Sequence, residues 1–453
     1  MRAVAASTVS KFWLTLGAGT PLADFISFRY LLLRAWTAGG GLIAGLAQTF
    51  VFARILEPKE FSLFILVGVL GTTTWLFDLG FSKILFVKLR QRFLADEDTL
   101  SIGSQANAVA TFYAFVIAVG ALICFVLMAV RPETSIWHAA ELGLFFFFSA
   151  FNLTWFVLRN ACIAVDEYIY FETLESCRRL GYIGLMLTML AGFPFPAFLV
   201  LINLSWIVLI VLAGRRLVER RVITPQFRGS IGHLKEFFRD NWSAALRTGT
   251  HSAGETYLHG ILYLAVPFTF GLGAPTIIID TALKIFFGTL TLCSAACDLL
   301  VPRQTAAYSA RDQRALVRAT LLAIELCALP ALGIAALLLL DAKGLFALLL
   351  GHAATMPTSV TPWLLLLLAA GVIKTAPNFL LQYTGYFKQI ARLAMVNALT
   401  VTAAMAIGLI AKVDMVGLLA LYAIAFTIVG LLYLGVAWRG PIHDAGINPD
   451  HHA

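Results

Sequence analysis

Apolar residues run along this chain in long blocks broken by short polar stretches, as in Leu199–Leu212 and Leu364–Val372. They do not alternate residue by residue, which is the mark of strands in a membrane barrel, so the pattern predicts helices. Twelve spans fit the blocks, at about 36–56, 61–81, 107–129, 137–163, 176–193, 196–214, 243–270, 277–302, 315–340, 361–386, 391–411 and 415–438. Each is near the ~20 residues that cross a hydrocarbon core, with allowance for tilt. The longest polar stretch runs from Arg215 to about Trp242 and divides six spans from six. The expected architecture is therefore an all-α membrane protein: an arm (1–35), a first six-helix lobe (36–214), a basic linker (215–242), a second six-helix lobe (243–438) and a tail (439–453). A central cavity is expected between the lobes.

An even number of spans per half gives both halves the same orientation, so a repeat would be parallel, about an axis along the membrane normal. Echoes support one. The second span ends in Phe77-Asp78-Leu79 and runs into Lys83, Lys88, Arg90 and Arg92. The eighth ends in Cys297-Asp298-Leu299 and runs into Arg303, Arg311 and Arg314.

Charge fixes orientation. The chain has 453 residues and a net charge of +8, which by itself would fit nucleic-acid binding. Mapped onto the spans, however, 26 of the 33 Lys and Arg fall in the N-terminal arm, the even loops and the tail. Five fall in the odd loops, and Lys284 and Lys374 lie inside spans. This bias puts both termini in the cytoplasm and makes the positive charge a matter of topology and anionic headgroups, with no nucleic-acid partner. Composition agrees: 60% hydrophobic and 13% charged residues, about half the charged share of soluble domains. The six cysteines read as free core thiols, since they lie in spans or on the cytoplasmic side. The apolar patch near the start is interrupted by Lys11, and cleavage there would contradict the charge bias, so it reads as an arm with an interfacial patch at Phe12–Leu16.

Ionisable groups at membrane depth are costly and mark function or mutual pairing. On the seventh span Arg247, His251, Glu255 and His259 recur every four residues, one stripe about 18 Å long. The stripe can line the cavity, with Arg247 at the cytoplasmic mouth and Glu255 exchanging protons with its histidines, or form a self-satisfied seam. A His-Glu-His metal site lacks a further ligand. Glu325 and Lys374 can pair with each other or face the cavity. Arg178 and Arg179 can receive a phosphate or act as ordinary positive-inside anchors. Asp280 and Lys284 read as a local pair, and Asp78 as the closure of a helix end. Pro330 and Pro377 interrupt spans nine and ten, where a proline can kink a helix. The Gly39–Gly41 triplet suits close helix packing.

Ala53-Arg54-Ile55-Leu56-Glu57-Pro58-Lys59-Glu60-Phe61-Ser62-Leu63-Phe64 resembles the "LARxLGPxEFGLY" signature of polysaccharide flippases, and Asp78-Leu79-Gly80-Phe81-Ser82 resembles that family's "aDLGLs" segment. The family is the Wzx-type O-antigen and exopolysaccharide exporters, within the multidrug/oligosaccharidyl-lipid/polysaccharide superfamily. Glu57 stands where the family has a glycine. The resemblance implies translocation of an undecaprenyl-diphosphate-linked oligosaccharide across the bacterial inner membrane, without a cofactor, beside a polysaccharide polymerase and its chain-length machinery. A cation-coupled drug exporter of the same superfamily is the alternative. An enzyme reading is disfavoured. There is no nucleotide-binding glycine loop, and the outer loops, such as Gly192–Pro196 and Gly271–Pro275, are too small for the catalytic groups of a membrane glycosyltransferase, ligase or polymerase.

Overall fold

A computed structural model describes residues 28–132, 134–223 and 230–446. The interfacial patch at 12–16 lies outside them. Fifteen α-helices follow one another among the described residues. The first eight are α1 (Phe28–Ile55), α2 (Pro58–Thr73), α3 (Phe81–Leu94), α4 (Leu100–Ala129), α5 (Ile136–Ala150), α6 (Asn152–Ala164), α7 (Tyr168–Thr188) and α8 (Phe195–Glu219). The rest are α9 (Ser230–Phe270), α10 (Ala274–Asp298), α11 (Val301–Ser309), α12 (Gln313–Leu350), α13 (Val360–Tyr383), α14 (Phe387–Ile410) and α15 (Met415–Ala437). Ten helical segments, counting α5–α6 as one, are long and apolar enough to cross a membrane. Helices α7 and α9 are of spanning length but carry charged faces. The chain is a multi-pass membrane protein with twelve helices in two lobes.

Short polar signals stop and start these helices. Ser135, Asp312 and Asp414 each accept a backbone N–H from their own first turn, at 3.1, 2.9 and 2.8 Å. The tight outer turns use Gly192, Gly271 and Gly273, all at positive φ. At the flippase-like turn Glu57 is extended (φ −66°, ψ 149°) with Pro58 opening α2, so this turn needs no glycine and tolerates the substitution. The second signature also has a physical basis. Asp78 ends a 3₁₀ turn (Thr74–Asp78), Leu79 and Gly80 adopt positive φ (45° and 78°), and α3 begins. Buried Asp78 accepts from the Ser82 backbone N–H (3.1 Å), the Ser82 hydroxyl and the Tyr113 hydroxyl (3.0 Å), which closes the helix end as expected.

Three features depart from the simple layout. The fourth span is two helices, because Asn152 turns its amide back to the Ser149 carbonyl (3.2 Å) where α5 gives way to α6. Much of the linker is helical: α8 runs to Glu219 and α9 starts at Ser230. Phe238 of that extension packs on Phe81 and Phe112, with ring centroids 4.6 and 5.7 Å away. In α12 the backbone breaks at Asp341 (φ −157°, ψ 65°), not at Pro330, so the largest outer loop begins with a short helix.

Inside the first lobe, Phe52, Phe64, Phe145 and Phe195 pack largely edge to face at 5.0–6.1 Å. Below them Glu175 is buried and held by Arg178 (2.6 Å), Arg179 (2.7 Å) and the Trp155 indole (2.9 Å). Because apolar burial does not drive helices together within lipid, such satisfied polar groups and small-residue contacts carry the association. Gly41 shows the second device: a Cβ there would lie 2.5 Å from Arg179 Nη1.

Candidate functional site

The lobes meet along α1 and α10 and, beside that seam, flank an open cavity of about 390 Å³. The first lobe contributes Gln48, Thr72, Thr73, Trp75, Phe148 and Asn152; the second contributes Thr256, His259, Tyr263, Asp280, Lys284 and Phe287. The break between α5 and α6 therefore falls on the cavity wall, through Asn152.

Helix α9 brings its stripe to the inner side of the second lobe. Lys374 of α13 donates to both oxygens of Glu255, at 2.6 and 2.8 Å. The lysine side chain is 6% exposed and the glutamate 22%, so the carboxylate lies nearer the water. Lys374 also lies 5.0 Å from the Phe426 ring centroid and 5.5 Å from that of Tyr433. One turn towards the start of α9, His251 Nε2 meets the Gln382 amide at 3.2 Å, and that amide also reaches Asn378 (3.2 Å). His251 Nδ1 is buried without a hydrogen-bond partner in the described structure. One turn the other way, the His259 ring lies 4.1 Å from Phe287. Glu255 is thus engaged by a lysine, not by its flanking histidines.

A second pair lies deeper, where Lys284 Nζ sits 2.7 Å from Asp280 and donates across the lobe boundary to Thr49 Oγ1 at 3.2 Å. The local pair anticipated from spacing is present, but it also forms cavity wall. The first lobe adds Lys83 from α3. Its side chain is open to solvent, and partial desolvation by the protein around it lowers its ammonium from the usual lysine value, while Asp78 and then Glu255 act to raise it. A cation of one lobe therefore acts on the anion of the other.

The remaining expected residues fare differently. Arg247 lies on α9, but its side chain is outside the described residues. Arg178 and Arg179 both serve Glu175 inside the first lobe, and Arg178 also stacks 4.3 Å over Trp206, so neither is free to receive a phosphate. Glu325 does not meet Lys374: it sits on the exposed face of α12 among Leu321, Leu329 and Leu332. Its partner in the expected pair is taken by Glu255. Lys83 was missed because a lysine just past a span end reads as a topology signal; the aspartate five residues earlier was the available hint.

The fold is shared with known transporters. The eukaryotic MATE transporter AtDTX14 is similar over 92% of this chain and 97% of its own, with a TM-score of 0.63 at 13% identity. A MOP superfamily transporter from Pyrococcus furiosus gives 0.63 at 14% identity, covering 93% and 96%. An outward-facing multidrug resistance MATE family transporter gives 0.59 at 15% identity, covering 95% and 98%. At these identities the likeness is one of fold. No family profile matches the chain, and no curated protein matches it in sequence.

Proposed function

We propose that this protein moves an anionic, lipid-linked oligosaccharide from the cytoplasmic to the periplasmic leaflet of the bacterial inner membrane by alternating access, for polysaccharide or lipopolysaccharide synthesis. The observation that carries the reading is the Glu255–Lys374 pair, with Lys83 of the other lobe as a further cation within its electrostatic reach. A diphosphate arriving between the lobes competes with Glu255 for both lysines. The aromatic and polar wall formed by Trp75, Phe148, Gln48 and Asn152 suits sugar rings and their hydroxyls. The polyprenyl tail stays in lipid. The two flippase-like sequence segments, Ala53–Phe64 and Asp78–Ser82, support this class by resemblance. No covalent step is required, so the reading is not enzymatic.

A drug exporter is the second reading, supported by the fold shared with MATE transporters and by the aromatic wall. Proteoliposomes separate the two. Under the first reading, purified protein flips a fluorescent undecaprenyl-diphosphate oligosaccharide, and Lys374→Gln abolishes flipping. Drug efflux by the same liposomes, without lipid flipping, would overturn it. Both termini are cytoplasmic in this scheme, and polymerase and chain-length proteins would act on the product outside.

A further inference from the structure

Away from the inter-lobe cleft, a groove of about 470 Å³ opens between the cytoplasmic third of α12 and the end of α15. Val317, Leu321 and Ile324 form one wall, and Leu431, Leu434 and Gly435 the other. Leu321 and Leu431 are 49% and 54% exposed in a stretch that spans the membrane, so the groove faces lipid. Its mouth has a distinct construction. Beyond Ala437 the helix widens into a π turn (Trp438–Ile442) with Gly440 out of helical conformation and Pro441 following. That turn buries Ile442 against the groove while leaving Trp438 and Arg439 exposed at its rim. On α12, exposed Arg314 and Arg318 precede Leu321 by seven and three residues, on the same side of the helix. Among the described residues none of these three arginines has an ion pair. Two carboxylates end the same elements, and both are engaged: Asp312 caps α12 through the Ala315 N–H (2.9 Å), and Asp444 accepts from the Tyr386 hydroxyl.

We propose that this groove is a binding site for one anionic phospholipid of the inner leaflet. Its acyl chains lie along Leu321, Leu431 and Leu434, and its phosphate is held by Arg318 and Arg439, with Trp438 at the headgroup level. An apolar trough ending in unpaired cations matches that amphiphile and no soluble ligand. Nothing in the proposal depends on what the inter-lobe cleft carries.

Gly435 offers a clean test, because a Cβ there meets nothing within 4 Å, so Gly435→Phe fills the groove without a clash. Full-length protein, delipidated in mild detergent, is titrated with phosphatidylglycerol or phosphatidylcholine and read by native mass spectrometry. One phosphatidylglycerol is expected to bind in preference to phosphatidylcholine. Gly435→Phe should abolish that step, and the double variant Arg318→Gln/Arg439→Gln should weaken it about thirty-fold, from roughly fivefold per interfacial cation. Lys388→Gln/Arg392→Gln removes the same charge elsewhere on the cytoplasmic face and should leave it unchanged. Equal binding of the two lipids, an unaffected Gly435→Phe protein, or equal weakening by the control pair would each overturn the site. The groove-filling and charge variants alter different residues, so misfolding of one leaves the other decisive.

Discussion

Replacing Glu255 by Gln removes the charge that Lys374 is built around and leaves its shape nearly unchanged. The lysine is 6% exposed, its ammonium bonds both carboxylate oxygens, and its other close neighbours are the rings of Phe426 and Tyr433. An ammonium left there alone keeps its desolvation cost without its counter-charge. Breaking a buried pair in this way costs about 3–5 kcal/mol. The 22% exposure of Glu255 lets water reach the pair, which favours the lower end, about 3 kcal/mol. Removing both charges is cheaper than removing one, so Glu255→Gln/Lys374→Met should recover most of the loss. The assay is a double-mutant cycle on purified protein, with stability read from unfolding in mixed detergent micelles and transport from lipid flipping in liposomes. The expected result is a coupling energy of about 2 kcal/mol or more, with restored stability but no transport in the double variant. Additive single-variant losses would refute the pairing. Normal transport by a stable double variant would remove the pair from the mechanism.

Three further perturbations probe the frame around this pair. Asp298→Asn removes the 2.8 Å bridge from Arg34 across the lobe boundary while Arg34 keeps Glu172, at 3.4 Å. Stability should change by about 1 kcal/mol or less, while spin labels at positions 91 and 310 move apart; an unchanged distance distribution means that the bridge does not hold the lobes together at that end. Glu175→Gln strands two arginines inside the first lobe and should cost about 3–5 kcal/mol, whereas Glu325→Gln on the outer face of α12 should stay within about 0.5 kcal/mol; equal losses contradict the assignment of Arg178 and Arg179 to Glu175. Lys83 binds its proton less tightly in the folded protein than its ordinary value of 10.5, so the unfolded chain holds more protons between the two values. Stability should therefore rise with pH through that window, and Lys83→Met should flatten the rise; a Met variant with the same slope places the titration elsewhere.

The spans were legible because a bilayer imposes one length and one polarity on every crossing, and because lysine and arginine counts order the loops. The stripe on α9 was legible for a related reason: groups that cost so much at membrane depth stand out against their neighbours. What spacing cannot give is the partner on another helix. Lys374 was open to Glu325 or the cavity, and the choice depends on which faces of α9, α12 and α13 turn inward. The break at Asn152 was hidden because phenylalanines continue through it, and a side-chain amide bonding its own backbone leaves no periodic trace. The α9 extension through the linker was hidden by its charge, although Phe237 and Phe238 within it pack against the first lobe.

The two lobes use their charges differently. In the first lobe Glu167 is taken by Arg216 and Arg220, Glu172 by Arg34 and Thr37, and Glu175 by Arg178 and Arg179. Each carboxylate is buried and multiply satisfied, a construction that stiffens a helix bundle and leaves nothing to exchange with a ligand. In the second lobe Glu255 and Asp280 each have one lysine; Asp280 and Lys284 line the space between the lobes, and Glu255 lies one turn of α9 from His259, which also lines it. A single-partner pair can be opened by one proton or one phosphate, whereas a carboxylate held by two arginines cannot. The polar links across the boundary are correspondingly few and spread along the membrane normal: Arg34 to Asp298 near one face, Lys284 to Thr49 within, and Arg54 to the Leu348 carbonyl (2.7 Å) near the other. Lys284 belongs both to a link and to a pair. Neutralising Asp280 would take away the counter-charge of Lys284 and leave the bond to Thr49 as its polar contact across the boundary.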